Sequence, residues 1–145
     1  MSALVDDTIE LKIPSKPEYV AVVRALVADL ARRVAFSASA VEDVQVAVSE
    51  ACANAMCHAY PVPDLNSAEI TIRCTTDDER LIMEVADRGQ GFPNPTVQHT
   101  RNRRRNGGFG LLLIRNLMDH VSLNSAPNQG TIVRMIKRGS SVARS

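Results

Sequence analysis

One stretch of the chain places a carboxylate and a carboxamide at helical spacing. Glu50, Asn54 and His58 are four residues apart, so a helix through them aligns all three along one stripe. A carboxylate one turn from a carboxamide offers a proton acceptor beside a neutral oxygen ligand for a hard cation. The spacing is equally consistent with a solvated polar face, on which Asn54 only weakens the helix.

A second carboxylate, Asp87, ends an alternating run and is followed by two closely spaced glycines. It has the same parity as Leu81, Met83 and Val85, which predicts a position on the apolar face of a strand, at the mouth of the core. An unpaired buried charge is costly, so we expect hydrogen-bond donors for this carboxylate. The glycines let a ligand approach the backbone closely. The alternative is an Asx-type turn that closes the strand.

A third cluster combines glycines with the start of a predicted helix. Gly107, Gly108 and Gly110 leave the first N–H groups of that helix unobstructed, and such groups bind anions together with the helix dipole. The spacing matches neither a P-loop nor a dinucleotide-binding glycine motif, which disfavours those nucleotide folds. The alternative is a flexible hinge before a core helix.

The only strongly positive segment lies just before these glycines. Four arginines fall within residues 101–105, and without them acidic residues outnumber basic ones. A charge run is usually a solvated loop, but this position favours attraction of phosphate.

Hydrophobic periodicity and turn residues predict the elements that position these groups. In chain order we predict a strand over 8–13, a helix over about 17–35, a second helix ended by Pro61, a hairpin of strands 69–74 and 81–86, a helix over 109–118, and a hairpin of strands 121–124 and 131–137. A capping box of Ser39 and Glu42 is predicted to open the second helix. This order indicates an α+β fold: a two-layer α/β sandwich with helices on one face of a mixed, largely antiparallel sheet.

Composition excludes several classes of protein. The chain has 145 residues, which suits one domain; we assign it to residues 1–139, with a frayed tail over 140–145. Aromatic residues make up 3% and the net charge is +1, which argues against a nucleic-acid-binding protein. Three cysteines without a CxxC pattern indicate reduced thiols and a cytoplasmic location. No apolar run approaches the ~20 residues that span a bilayer.

In combination and in this order, the segments resemble the Bergerat-fold ATPases, the histidine-kinase-like superfamily of gyrase-type, chaperone and histidine-kinase ATP sites. Within it they are similar to the small anti-sigma-factor serine/threonine kinases of bacteria. The similarity extends from the first strand to about Lys137, and four segments carry it: residues 50–60, 87–92, 107–121 and 130–133. Each segment alone is weak, whereas four in order at matching spacing are specific.

The resemblance implies an ATP site between the sheet and a lid. Glu50 matches the base that accepts the proton of the substrate hydroxyl, and Asn54 matches the residue that binds Mg²⁺. Asp87 matches the aspartate that hydrogen-bonds the adenine amino group, with Thr131 supporting it through water. The remaining nucleotide-binding positions come from the same comparison: Gly89 and Gly91 beside the base, Gly108 and Gly110 under the phosphates, and Arg105, Gly107, Phe109 and Leu111 around them.

The function implied by the resemblance is that of an anti-sigma factor with ATP- and Mg²⁺-dependent protein serine kinase activity, in transcription regulation of the stress-response or sporulation kind. The expected partners are a sigma factor, an antagonist (anti-anti-sigma) protein as the phosphorylation substrate, and a second copy in a homodimer, with no direct contact to nucleic acid or membrane. Two alternatives stay open. One is a switch-type serine kinase that acts on another signalling protein without binding sigma. The other is a non-catalytic module that binds ATP and sequesters a partner.

Overall fold

The computed structural model describes residues 7–58, 69–77, 79–87, 108–126 and 130–139. A short 3₁₀ turn over Pro17–Tyr19 leads into the first helix. The elements are, in chain order, β1 (Asp7–Pro14), α1 (Val20–Arg33), α2 (Ala38–His58), β2 (Glu69–Thr76), β3 (Arg80–Asp87), α3 (Gly108–Leu117), β4 (His120–Ala126) and β5 (Gly130–Arg138). The predicted tail over 140–145 lies outside the described residues, so its fraying stays a prediction.

The strands form one sheet in the order β1-β2-β3-β5-β4. Each of the four strand pairings within the described residues is antiparallel, so the sheet contains no parallel pair there. The predicted α+β architecture is confirmed, with helices on one face of a largely antiparallel sheet whose described pairings are all antiparallel. Two antiparallel hairpins, β2–β3 and β4–β5, supply two of these pairings, and β5 joins the hairpins by lying antiparallel to the distant strand β3.

Alternation along the strands decides which face of the sheet is covered. On β2, β3 and β5 every second residue is buried, and the register brings these residues into rows such as Ile72, Val85 and Val133. The helices cover this inner face: α2 contacts β2, β3 and β5, and it also contacts α1 and α3. The largest fully buried side chains come from both layers: Val23, Val27, Val44, Val48, Ile70, Ile72, Leu81, Met83, Ile114 and Met135. Because α2 contacts both other helices and three strands, it is the central element of the fold.

The opposite face of the sheet carries a row of alternating charges. Glu10, Arg73, Glu84 and Arg134 are successive cross-strand neighbours on β1, β2, β3 and β5. Arg73 Nε lies 3.6 Å from Glu10 Oε2, and Arg134 Nε lies 3.7 Å from Glu84 Oε2. Opposite charges at directly facing positions favour this register over a one-residue slip, which would exchange the two faces of each strand.

The connection between α1 and α2 is set by two backbone features. Ala35 adopts a left-handed conformation with φ of 61°, and the amides of Ala35 and Phe36 donate to the carbonyls of Arg32 and Ala31 in a Schellman arrangement. The Ser37 hydroxyl then accepts from the amide of Ala40 at 3.1 Å, which caps α2.

The predicted capping box of Ser39 and Glu42 is therefore wrong. The helix begins at Ala38, two residues before the start that this box implies, so Ser39 lies inside the first turn. Ser37 takes the capping position because it directly precedes the helix, two residues after the left-handed Ala35, and its hydroxyl accepts from the amide of Ala40. Within the described residues, no helix is long and apolar enough to cross a membrane.

Candidate active site

Three polar side chains form a row across one end of the sheet. Asp87, the last residue of β3, has Thr131 of β5 as its cross-strand partner, and Thr131 in turn faces Ser125 of β4. Asp87 and Thr131 share the parity of the buried residues on their strands, and Ser125 shares that of the partly buried Val121 and Leu123, so all three lie on the face that the helices cover. Thr131 is 9% exposed, and its Oγ1 lies 2.8 Å from Ser125 Oγ. The predicted parity of Asp87 is confirmed, because this carboxylate follows the buried residues Leu81, Met83 and Val85 on the same face of β3.

Ser125 is a residue of this row that sequence reasoning missed. We predicted that β4 ends at residue 124, because apolar alternation stops at Leu123, whereas the strand continues to Ala126. The hairpin register could have revealed the longer strand. With Ala126 paired to Gly130, the preceding residue Ser125 lies opposite Thr131. Position 130 favours glycine, since its φ of 83° lies in the left-handed region.

Glu50 and Asn54 lie on the central helix α2, one turn apart and both half-buried. Within the described part of the chain, no hydrogen bond or ion pair holds either side chain. Their partial burial argues against the alternative of a purely solvated polar face, and their roles stay predictions. The side chain of His58, at the end of α2, is not described.

The donor set on α2 fits a hard cation with few protein ligands. The carboxamide oxygen of Asn54 is a neutral oxygen donor, and Mg²⁺ commonly takes only one or two protein ligands and completes its shell with water and phosphate. Among the described residues, no group of three or more His, Cys, Asp or Glu side chains could hold a metal ion. Asn54 stays the candidate metal ligand that the resemblance implies, as a prediction.

The helix α3 begins at Gly108, as the glycine cluster predicts. The first N–H groups of a helix have no acceptor within the helix, so the first turn of α3 is a candidate anion site. Leu111 is 8% exposed and packs into the core, so only its backbone can face a ligand. Of the other predicted nucleotide-binding residues, Gly89, Gly91, Arg105 and Gly107 lie outside the described residues, as does the side chain of Phe109.

Two cysteines lie in the hydrophobic core and are not candidate active-site residues. Cys52 on α2 and Cys74 on β2 are free and buried, with exposures of 0% and 1%. Burial raises the pKa of the Cys52 thiol to about 12, with the nearby Cys74 adding to the shift, and burial alone raises the pKa of Cys74 to about 12. Both thiols stay protonated near neutral pH, so neither is a nucleophile.

Comparison with known proteins identifies the class. Residues 13–137 match the histidine kinase-like ATPase domain family, which covers every element from the end of β1 to β5. The chain belongs to this family. The resemblance that the sequence motifs carry is thereby confirmed.

Several relatives have a more specific name. Serine-protein kinase RsbW from Bacillus velezensis is 41% identical over 140 residues, covering 90% of this chain and 85% of the relative. The protein of the same name from Bacillus subtilis is 37% identical over the same coverage, and that from Listeria monocytogenes is 38% identical over 83% of this chain and 82% of its own length.

Two solved structures share the fold. The RsbU and RsbW domains of a Mycobacterium tuberculosis protein superpose with a TM-score of 0.68 at 19% identity, covering 92% of this chain and 32% of that one. The histidine kinase domain of a blue-light activated kinase from Erythrobacter litoralis superposes with a TM-score of 0.57 at 20% identity, covering 88% and 62%. Both support the Bergerat architecture predicted from the motifs.

Proposed function

We propose that this chain is an ATP-dependent protein serine kinase and anti-sigma factor, which sequesters a sigma factor and phosphorylates an antagonist protein. The observation that carries the proposal is the pair on α2: Glu50 and Asn54 lie one turn apart, half-buried and without a partner among the described residues. Relatives at 37–41% identity over 90% of the chain are named serine-protein kinases, which supports the same reaction here.

The adenine end of the ATP site is assigned to the row of Asp87, Thr131 and Ser125. The Asp87 carboxylate would accept a hydrogen bond from the exocyclic amine of adenine. Thr131 would support it through water, with its hydroxyl oriented by the 2.8 Å contact to Ser125. A buried hydroxyl that is already paired to its neighbour keeps a fixed direction, which suits discrimination between purines.

The phosphate end is assigned to α2 and to the first turn of α3. Asn54 would bind Mg²⁺, which neutralises charge on the phosphates when bound. The N–H groups of the first turn of α3 would bind phosphate oxygens. Glu50 would accept the proton of the substrate serine as the hydroxyl oxygen bonds to the γ-phosphorus and ADP departs. Phosphoryl transfer depends chiefly on such positioning and charge neutralisation, with little covalent help from the protein.

Partners and location complete the proposal. The chain would bind a sigma factor and its antagonist protein, form a homodimer, and make no direct contact with nucleic acid or membrane. A cytoplasmic location fits two cysteines that are free and buried in the structure.

The test is transfer of phosphate to a partner. The chain is purified from its native cell with the small protein bound to it, and incubated with γ-labelled ATP and Mg²⁺. We expect label on a serine or threonine of that protein, and loss of labelling in Glu50→Gln. Glu42→Gln is the matched control, because Glu42 is an exposed carboxylate on the same helix. Tight binding of ATP and partner without any labelling would replace this proposal by the non-catalytic sequestering module.

The switch-type kinase is separated by the identity of the partners. Labelling of a signalling protein with no sigma factor in the purified complex, with or without ATP, would favour that alternative. It would leave the assignments of Glu50 and Asn54 unchanged.

A further inference from the structure

Lys137 connects three elements of the fold at the end of the sheet opposite Asp87. It lies on β5, on the face that the helices cover, and its side chain is 17% exposed. Its Nζ donates to the backbone carbonyl of Leu117, the last residue of α3, at 2.7 Å. The same Nζ lies 3.3 Å from Asp43 Oδ2 on α2. One ammonium group thus holds the C-terminal end of α3 beside the first half of α2.

The bridge has a physical basis at both contacts. The carbonyl of Leu117 is one of the helix-end acceptors that have no partner within the helix, and a cation there is also favoured by the helix dipole. The ion pair with Asp43 is mostly shielded from water, since the Asp43 side chain is 30% exposed. A lysine that makes both contacts fixes the spacing of the two helices more firmly than either contact alone.

Asp43 lies on the same stripe of α2 as the two candidate active-site residues. Glu50 is seven residues further along and Asn54 eleven, and both intervals are close to whole numbers of helical turns. Asn54 is therefore about 16 Å from Asp43 along the helix axis. From the bridge, the ten residues of α3 extend about 15 Å.

The distance from Asp43 to Asn54 along α2 is therefore about the same as the length of α3. Only five residues of α2 precede Asp43, so α3 can pack along α2 only by extending toward Asn54. An α3 that runs antiparallel to α2 from this fixed end would have its first turn level with Glu50 and Asn54.

We propose that Lys137, through Asp43 and the Leu117 carbonyl, is a positioning residue that holds the phosphate-binding turn of α3 in register with the metal ligand on α2. This inference rests on the proposed function, since it takes Asn54 as the metal ligand and α3 as the phosphate site. Phosphates bound at α3 share Mg²⁺ with Asn54 only when the two helices keep a fixed offset. The Mg²⁺-dependent part of ATP affinity therefore depends on Lys137, and the part measured without Mg²⁺ does not.

The fold does not depend on this lysine alone. The connection after α3 is also attached to β5 by the Asp119 amide, which donates to Ile136 at 2.9 Å, and by the Arg138 amide, which donates to Asp119 Oδ2 at 2.6 Å. Lys137→Met keeps the length and apolar stem of the side chain and removes only the charged donor. We expect this variant to fold.

The experiment compares ATP affinity with excess Mg²⁺ and with EDTA, in the full chain, by calorimetry. The ratio of the two dissociation constants is the Mg²⁺ enhancement. We expect this enhancement to fall about tenfold in Lys137→Met and also to fall in Asp43→Asn. Lys137→Arg, which restores a cationic donor, should recover most of it. Lys12→Met, which removes an exposed lysine on β1, should leave it unchanged.

The ratio separates positioning from general damage. A variant that is merely destabilised, or that has a damaged adenine site, weakens ATP equally in both conditions and leaves the enhancement intact; that result in Lys137→Met would overturn the inference. Wild-type protein that binds ATP without any Mg²⁺ enhancement would instead remove the assignment of Asn54, and with it the proposed function on which this inference rests.

Discussion

Asp87 and Thr131 are direct cross-strand partners on β3 and β5, at one end of the sheet and on the face covered by the helices. The pairing begins a polar row, with a carboxylate beside a buried hydroxyl, next to the buried apolar pair of Val85 and Val133 on the same face. Thr131 bonds to Ser125 on the next strand, so the row continues through three strands. A ligand at this end meets an acceptor and a hydroxyl at fixed spacing, which is the arrangement that can distinguish an amino group from a carbonyl.

We expect wild-type protein to prefer ATP strongly over GTP, because guanine presents a carbonyl where adenine presents the amine that Asp87 accepts. Asp87→Asn should lose most of that preference, since a hydrogen bond to a charged group contributes about 1.5–3 kcal/mol. Competition of each nucleotide against a fluorescent ATP analogue measures the preference for ATP over GTP. Glu84→Gln, on the opposite face of the same strand, is the control. Equal wild-type affinity for the two nucleotides contradicts the role given to Asp87.

Substitutions on α2 should separate metal binding from proton transfer. Asn54→Ala should abolish Mg²⁺-dependent ATP binding, because the candidate protein ligand is removed. Glu50→Ala should retain nucleotide binding and lose transfer by about 10²–10⁴-fold, the range of general-base help. Calorimetry with ATP and Mg²⁺, combined with a phosphate-transfer assay, measures both. Unchanged ATP affinity in Asn54→Ala is the result that removes the metal assignment.

Much of this site could be predicted from local patterns. The parity of Asp87 with Leu81, Met83 and Val85 follows from strand periodicity, which needs no knowledge of the partner strands. The stripe of Glu50 and Asn54 likewise follows from the helical repeat.

Contacts between distant segments could not be predicted in this way. Lys137 and Asp43 are 94 residues apart, and their pairing depends on how α2 lies on the sheet. Ser125 was missed because a polar residue on an inner face interrupts the apolar alternation by which a strand is recognised. Ser37 was missed as the cap of α2 because the left-handed Ala35 that positions it gives no glycine signal.

Two substitutions next to Phe36 should change stability in opposite directions. Ala35→Gly should stabilise the fold by up to about 1 kcal/mol, because a left-handed φ costs an L-residue about that much and Ala35 is exposed. Gly139→Ala should destabilise it by about 1–3 kcal/mol, since a Cβ at Gly139 would meet the Phe36 ring at 2.9 Å and the Glu79 carbonyl at 3.1 Å. Denaturant unfolding measures both changes. A stabilised Gly139→Ala would contradict the close packing seen here.

The buried thiols should be inert in the native state. With the pKa values of Cys52 and Cys74 raised to about 12, neither forms thiolate at pH 8, and a thiol reagent should modify them only after unfolding in guanidinium. The pKa of each thiol is higher in the folded state than in the unfolded state. The contribution of the two protonated thiols to stability is therefore complete below the unfolded pKa of about 8.5 and is lost as pH rises above it. Mass spectrometry of the modified peptides, in a Cys57→Ser background, identifies which thiols react. Rapid native modification of Cys52 would show that α2 opens from the sheet.

The turn between β2 and β3 should lose stability in acid through one carboxylate. The Arg80 side chain, which donates to Asp77 Oδ2 at 2.6 and 2.9 Å, is the main cause that lowers the pKa of Asp77, and the amides of Arg80 and Glu79 donate to Asp77 Oδ1 as well. Because the folded pKa is the lower one, the stabilisation is complete well above the unfolded value of about 3.9 and is lost as pH falls through the folded pKa. The ion pair of Asp77 and Arg80 is partly exposed, so we expect it to contribute no more than about 1 kcal/mol to the free energy of unfolding.

Asp77→Asn isolates this contribution, because it keeps acceptors for the two amides and removes the charge. The free energy of unfolding, measured by denaturant at pH 7 and at a pH near 3, should differ between wild type and variant at pH 7 and converge in acid. Glu79→Gln, an exposed neighbour in the same turn, should parallel wild type at both pH values. If the gap between wild type and Asp77→Asn persists unchanged in acid, the carboxylate is not the group whose protonation weakens the turn, and the hydrogen bonds alone account for its stability.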